Sequence, residues 1–277
     1  MDNRQIGFFD SGLGGLTCIP YLLKALPGER IVYFGDTART PYGSKAPSTI
    51  KKFATEITDF LIEGLDVKMV AIACNTVSAV ALEDLRLRHP EIPILGIISP
   101  ASHTIAKTCS KENSIGVIGT KATIASGVYP AKILALDPGL SIFQQACPAL
   151  VPLIEEGVED TRIMDLTIEY YLDGFLSENG IDTLVLGCTH YPLIRENITR
   201  LYPRLRIVDP SEEMLQSISE TLESGGLAAA GQKPGHTFYA SDLSENFINM
   251  IELIFSGTGF PVSFNNFDIE AFSERKR

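Results

Sequence analysis

Two cysteines in this chain stand in settings that suit reagents. Cys74 follows the apolar run 69–73 and Cys188 the run 183–187, and each is followed at once by polar residues typical of helix starts, Asn75-Thr76 and Thr189-His190. A thiol where a strand gives way to a helix faces unsatisfied backbone N–H groups and the positive end of a helix dipole, so its pKa is expected to fall from ~8.5 toward neutrality. The same donors suit a carboxylate ligand. A single free cysteine ordinarily acts as a small hydrophobe, which is the reading for Cys18, Cys109 and Cys147. The matched surroundings of Cys74 and Cys188 argue for chemistry instead. A symmetric pair of acid–base groups suits a symmetric reaction, in which one removes a proton from one face of a carbon and the other returns a proton to the opposite face. Racemisation at an amino-acid Cα is such a reaction. Its weakly acidic C–H also demands preorganised donors for the developing carbanion.

Other polar segments follow strand-like runs. Asp10-Ser11-Gly12-Leu13-Gly14-Gly15-Leu16-Thr17 looks like a phosphate loop but lacks the spacing of either nucleotide fingerprint, which leaves its glycines open to either a tight strand-to-helix turn or a ligand role. Asp10 could poise a thiol or an ammonium group. The stretch Asp36 to Gly43 is a donor-rich loop. His190 lies two residues from Cys188, and on a helix residues two apart do not face each other, so a Cys/His hydrolase dyad is not expected. Four scattered histidines and no C-x-x-C offer no metal-ligand set.

The elements that must carry these residues are short. Apolar runs at 6–9, 31–34, 69–73, 94–97, 115–118, 141–144, 183–186 and 205–208 predict strands, and they alternate with stretches of helical period such as 47–64 and 76–87. This predicts α/β architecture with mostly parallel sheets. Residues 6–11 align with 115–120, 69–74 with 183–188, and 94–100 loosely with 205–210, which points to two similar parallel-sheet domains related by pseudo-twofold symmetry. The expected division is 1–98 plus 209–277 for the first domain and 99–208 for the second. Ligands of open α/β sheets bind at the carboxyl ends of strands, so Cys74 and Cys188 should confront each other across the cleft between domains. After Pro210 the sequence reads as a helix over 212–224, a Gly/Ala-rich turn, a strand at 237–239 and a final helix near 245–255.

Composition excludes several classes. With 45% hydrophobic and 21% charged residues in 277, the chain has material for a full core. Its apolar runs fall short of the ~20 residues that span a bilayer, so no membrane association is expected. A formal net charge of −11 repels phosphate backbones and argues against nucleic acid as the ligand. An odd number of dispersed cysteines and an opening without an apolar leader segment suit free thiols in the cytoplasm.

Read together, Gly7-Phe8-Phe9-Asp10-Ser11-Gly12-Leu13-Gly14-Gly15-Leu16, Tyr33-Phe34-Gly35-Asp36-Thr37-Ala38-Arg39, Pro41-Tyr42-Gly43, Ala73-Cys74-Asn75-Thr76, Gly116-Val117-Ile118-Gly119-Thr120 and Cys188-Thr189-His190-Tyr191-Pro192-Leu193 resemble the motifs of bacterial glutamate racemases, within the cofactor-independent aspartate/glutamate racemase family. The resemblance implies a two-domain α/β isomerase with neither pyridoxal phosphate nor metal, making D-glutamate for peptidoglycan. It also implies residue roles. Cys74 would abstract the proton from D-glutamate and Cys188 from L-glutamate, with Asp10 and His190 assisting the two sides and Glu155 near the second thiol. Asp10, Ser11, Pro41, Tyr42, Gly43, Asn75, Thr76, Thr120, Thr189 and His190 would contact the small-molecule substrate. A homodimer is implied too. Family members activated by a peptidoglycan precursor tend to carry an extension before the first strand, so such activation is not expected here. The competing readings are a related racemase of aspartate or a hydantoin, a Cys-dependent hydrolase, and a non-catalytic amino-acid-binding module.

Overall fold

In the computed structural model, which describes residues 1–231, 236–245, 248–249, 251–252 and 264–275, ten strands divide between two sheets. The first holds β1 (Ile6–Asp10), β2 (Ile31–Gly35), β3 (Met69–Ile72), β4 (Ile94–Gly96), β9 (Thr237–Ala240) and β10 (Phe264–Asn266). The second holds β5 (Ser114–Gly119), β6 (Ser141–Ala146), β7 (Thr183–Gly187) and β8 (Arg206–Val208). Their orders are β10-β9-β2-β1-β3-β4 and β6-β5-β7-β8, with every pairing parallel. The central strands β1, β3 and β7 are buried at every residue, as parallel strands covered by helices on both faces must be.

The repeat seen in the sequence is a repeat of topology. Strand order 2-1-3-4 in the first sheet recurs as 6-5-7-8 in the second, and the aligned segments are β1 with β5, β3 with β7 and β4 with β8. In each sheet the chain leaves the first strand of the repeat toward one side and later returns on the other. The crevice that opens at such a reversal is where open α/β sheets bind ligands. Asp10, Ser11 and Cys74 lie at the carboxyl ends of β1 and β3, and Thr120 and Cys188 at those of β5 and β7. Both reversals therefore offer their loops to one cleft.

Several elements differ from the sequence-based expectation. The helix expected over 76–87 is two, Asn75–Val80 and Leu82–Arg88, separated by Ala81 at φ −120°. The first is fixed by its start at Cys74, whereas the second turns to lay Leu82 and Leu85 against β4, where Gly96 leaves room for the Leu82 side chain and the Arg86 guanidinium donates to Ile94 O at 2.9 Å. The helix expected over 47–64 runs Pro47–Asp59 and widens into a π turn over Phe60–Gly64. The helix expected from 212 starts two residues earlier, at Pro210, with Asp209 accepting from Ser211 N. Strand β10 was not expected, because three residues reading Phe-Asn-Asn carry no pattern until β9 supplies their register. Most of the helix expected near 245–255 lies outside the described residues.

Beside the first sheet a buried ion pair ties separate stretches together. Lys68 Nζ contacts Glu29 Oε2 at 2.5 Å, Asp2 O at 2.9 Å and Leu227 O at 2.7 Å, while Glu29 Oε1 accepts from Ala229 N at 2.8 Å. All three ammonium protons have acceptors. Replacing Lys68 by methionine leaves Glu29 as an uncompensated buried charge and is expected to lower the unfolding free energy by about 3–5 kcal/mol, read by chemical denaturation. A loss below ~1 kcal/mol would mark the pair as no stronger than a surface contact.

Candidate active site

A cavity of about 100 Å³ opens where the two sheets' loops meet. It is far smaller than the ~300–1,000 Å³ of drug-sized sites and suits a compact molecule. Ser11, Pro41, Tyr42, Gly43, Asn75, Thr76, Thr120, Thr189, His190 and both thiols line it, as do Thr40, Ser44, Lys121, Pro148, Val151 and Pro152. Asp10 and Glu155 do not line it; they stand behind, bonded to residues that do.

The glycines account for the narrowness. A Cβ on Gly14 would come within 2.3 Å of Thr189 Oγ1 and 2.6 Å of His190 Nδ1, and one on Gly43 within 2.4 Å of Thr120 Cβ. The tight strand-to-helix turn expected after β1 is present, since a 3-10 helix begins at Gly14, four residues past the end of the strand at Asp10. Gly12, Gly14 and Gly15 are not among the glycines with positive φ, and the need at Gly14 is for close approach between halves.

Cys74 caps helix Asn75–Val80, and its thiol donates to Ser11 Oγ at 3.3 Å. Burial, reinforced by the Asp10 carboxyl, pushes this thiol up to about 12, opposite to the expected depression. Exclusion from water penalises the thiolate more than one six-residue helix and one hydroxyl can offset. Asp10 is itself wholly buried and raised by that burial, with His190 and hydrogen bonds opposing. It accepts from Gly12 N at 3.0 Å and from Thr189 Oγ1 at 3.2 Å.

The second thiol is built differently. Cys188 is followed by a turn rather than a helix start, and the next element is the short 3-10 helix Tyr191–Ile194. Because that segment is not helical, His190 folds back. Its Nδ1 lies 3.8 Å from Cys188 Sγ, contrary to the sequence-based argument, and its Nε2 lies 3.0 Å from Glu155 Oε1. Burial alone would lower the imidazole pKa, but these two acidic neighbours raise it to about 10.

Polar groups on the remaining walls are held from behind. Asn75 Oδ1 accepts from the Tyr129 hydroxyl at 2.7 Å, while its buried Nδ2 has no partner among the described residues. The hydroxyls of Thr76, Thr120 and Thr123 form a triangle with sides of 2.9, 3.0 and 3.2 Å that joins the two halves. Tyr42 spends its hydroxyl on the buried Asp36, which also accepts from Arg39 at 2.8 Å and Ser241 at 2.8 Å. Neither Tyr129 nor Thr123 was singled out in the sequence. A lone tyrosine or threonine on a helix carries no signal before the opposite half is in place.

Metal-donor side chains are less scattered than the sequence implies. Among the described residues, Asp59, Glu63 and His89 bring donor atoms within 4.8 Å of one another, away from the residues lining the cavity. Arg88 already pairs with both Asp59 oxygens at 2.7 Å, so that carboxylate has its cation.

Two parallel sheets presenting two thiols to one small cavity define a racemase architecture, and comparison with known proteins agrees. This chain belongs to the Asp/Glu/Hydantoin racemase family, whose model matches residues 17–218, and is an isomerase. It is 43% identical over 249 residues to the glutamate racemase of Geobacter metallireducens, covering 89% of this chain and 91% of that one. Among solved structures it resembles glutamate racemase from Francisella tularensis in complex with D-glutamate, with a TM-score of 0.90, 34% identity and coverage of 98% and 100%. It also resembles a glutamate racemase isoform from Bacillus anthracis, with a TM-score of 0.89, 33% identity and coverage of 97% and 98%.

His190 gives this site a pH signature. Its folded pKa of about 10 exceeds the unfolded value of ~6.5, so the stability it contributes is full below ~6.5 and is lost as pH rises through 10. Unfolding free energy should therefore fall between pH 7 and 10 more steeply in the wild type than in His190→Asn. Parallel slopes would contradict the raised pKa. Gly14→Ala, which drives a methyl into Thr189 and His190, is expected to cost at least about 100-fold in kcat/KM.

Proposed function

We propose that this chain interconverts L- and D-glutamate by proton transfer at Cα, Cys74 acting on one face and Cys188 on the other, and that it supplies D-glutamate for peptidoglycan in the cytoplasm. The observation that carries this reading is the pair of thiols, one from each sheet, lining a single small cavity. No helix among the described residues is long and apolar enough to cross a membrane. Residues 1–98 with 209–277 form one working domain and 99–208 the other, a division supported by how the strands are shared between the sheets.

The two thiols have different neighbours, Ser11 beside Cys74 and His190 beside Cys188. Cys74, raised to about 12 by burial, holds its proton and stands ready as an acid. His190, protonated to about pH 10, gives a thiolate at Cys188 a cation to pair with. A thiolate at Cys188 removes the Cα proton of L-glutamate while Cys74 delivers one to the other face, and the reverse reaction exchanges the roles. The substrate ammonium, entering the cavity that Cys74 lines, offsets the penalty on a Cys74 thiolate in that reverse direction. Asn75 Nδ2 and the hydroxyls of Ser11, Thr76 and Thr120 serve the carboxylates, while Thr189 and the Tyr42–Gly43 stretch complete the lining. Lys121 stands at the rim as a cation for an anionic ligand. Glu155 orients His190. A homodimer fits the exposed stripe Ile163, Leu166 and Tyr170, which recurs at helical spacing on one helix.

A second reading has one observation in its favour. Cys188, His190 and Glu155 are spaced as a nucleophile, base and orienting acid, the arrangement of a Cys-dependent hydrolase. That chemistry would leave Cys74 idle.

L-glutamate should lose optical activity with no added cofactor, and the product enantiomer formed in deuterated water should carry solvent deuterium at Cα from the earliest turnovers. Cys74→Ser and Cys188→Ser should each lower kcat by about 100-fold or more. Absence of glutamate turnover would sink the proposal, and full activity in Cys74→Ser would favour single-thiol chemistry.

A further inference from the structure

One hydrogen bond across the cleft lies outside the proton transfers above. Tyr129 belongs to helix Val128–Leu136 on the second sheet's side, is fully buried, and does not line the cavity. Its hydroxyl lies 2.7 Å from Oδ1 of Asn75, which follows Cys74 on the first sheet's side. Its ring rests against Gly187, where an added Cβ would meet Tyr129 Cε2 at 3.4 Å. One side chain thus touches the residue before one thiol and holds the residue after the other.

An amide has two ends of nearly equal shape and opposite hydrogen-bonding sense. If the Asn75 amide turned over, it would present a carbonyl oxygen where Nδ2 now stands, and a carboxylate in the cavity would meet oxygen instead of N–H. The Tyr129 phenol selects between the two orientations because it is a donor. Burial, with the Asp209 carboxyl adding, pushes its pKa well above the ordinary tyrosine value, so the proton stays on. That proton has no other acceptor among the described residues, and Nδ2, on a residue that lines the cavity, is left buried and unpartnered.

We propose that Tyr129 is a positioning residue that locks the Asn75 amide with Nδ2 toward the cavity, and through it fixes recognition of a substrate carboxylate. The inference rests on the reading of the cavity as a glutamate site.

The test is a double-mutant cycle on Tyr129→Phe and Asn75→Ala, run with both enantiomers of glutamate. Racemisation of glutamate by the wild-type enzyme is measured first, so a failure of the substrate reading appears there and not in the cycle. Tyr129→Phe, which removes one oxygen and keeps the ring, should raise KM about tenfold for both enantiomers, with kcat falling less. In the Asn75→Ala background the same substitution should leave KM unchanged, because the group through which it acts is gone. Equal effects in both backgrounds, or a loss confined to kcat, would overturn the proposal. Asn75→Asp provides a variant that leaves Tyr129 an acceptor while removing the N–H that faces the cavity. Its KM should rise at least as far as in Tyr129→Phe, and an unchanged KM would also overturn the proposal.

Discussion

How closely the two halves of the molecule approach governs the rest of the site. At Gly14 against Thr189 and at Gly43 against Thr120 there is no space for even a methyl group, so the carboxyl ends of two parallel sheets are brought together over a cavity of about 100 Å³. Contact at that distance joins Thr76 to Thr120 and Thr123, and Tyr129 to Asn75. It also excludes water. Without exclusion of water the thiols would be ordinary surface groups, too weak as bases to compete with solvent for a carbon-bound proton.

Dryness then sets the electrostatics. The same burial that raises the Cys74 thiol and the Asp10 carboxyl would lower His190, yet His190 ends high because two acidic groups reach it. The thiol on one face is thus costly to ionise, and the imidazole beside the other is costly to deprotonate. Asn75 Nδ2 is the one buried polar atom of the cavity's lining without a partner among the described residues, and an acceptor on a ligand would complete it.

Most of the architecture was legible in the sequence because it is written in apolar runs of strand length. The correspondence of 6–11 with 115–120 and 69–74 with 183–188 carried the repeat, and strand ends carried the lining residues Ser11, Cys74, Asn75, Thr76, Thr120, Cys188 and Thr189. What failed was local geometry and environment. The split at Ala81 depends on Leu82 reaching β4. The Cys188–His190 contact depends on a turn where a helix had been assumed. The direction of the Cys74 shift depends on how much water the opposite half removes, which no window of sequence contains. Residues held in place from the other side of the cleft, Tyr129 and Thr123, were invisible for the same reason.

The two sheets also differ in how the chain supplies them. Every strand of the second sheet comes from the single stretch 114–208, whereas the first borrows β9 and β10 from residues 237–266 to cover the outer edge of β2. During synthesis, at ~5–20 residues per second, the second sheet has all its strands while the first still has an open edge. The rim of the cleft inherits this order, because Asp36, which holds Tyr42, waits for Ser241 from beyond β9 to complete its shell of donors. A nascent chain thus has both cysteines long before it has a finished site around them, and an unfinished polypeptide presents thiols without the enclosure that restrains their reactivity.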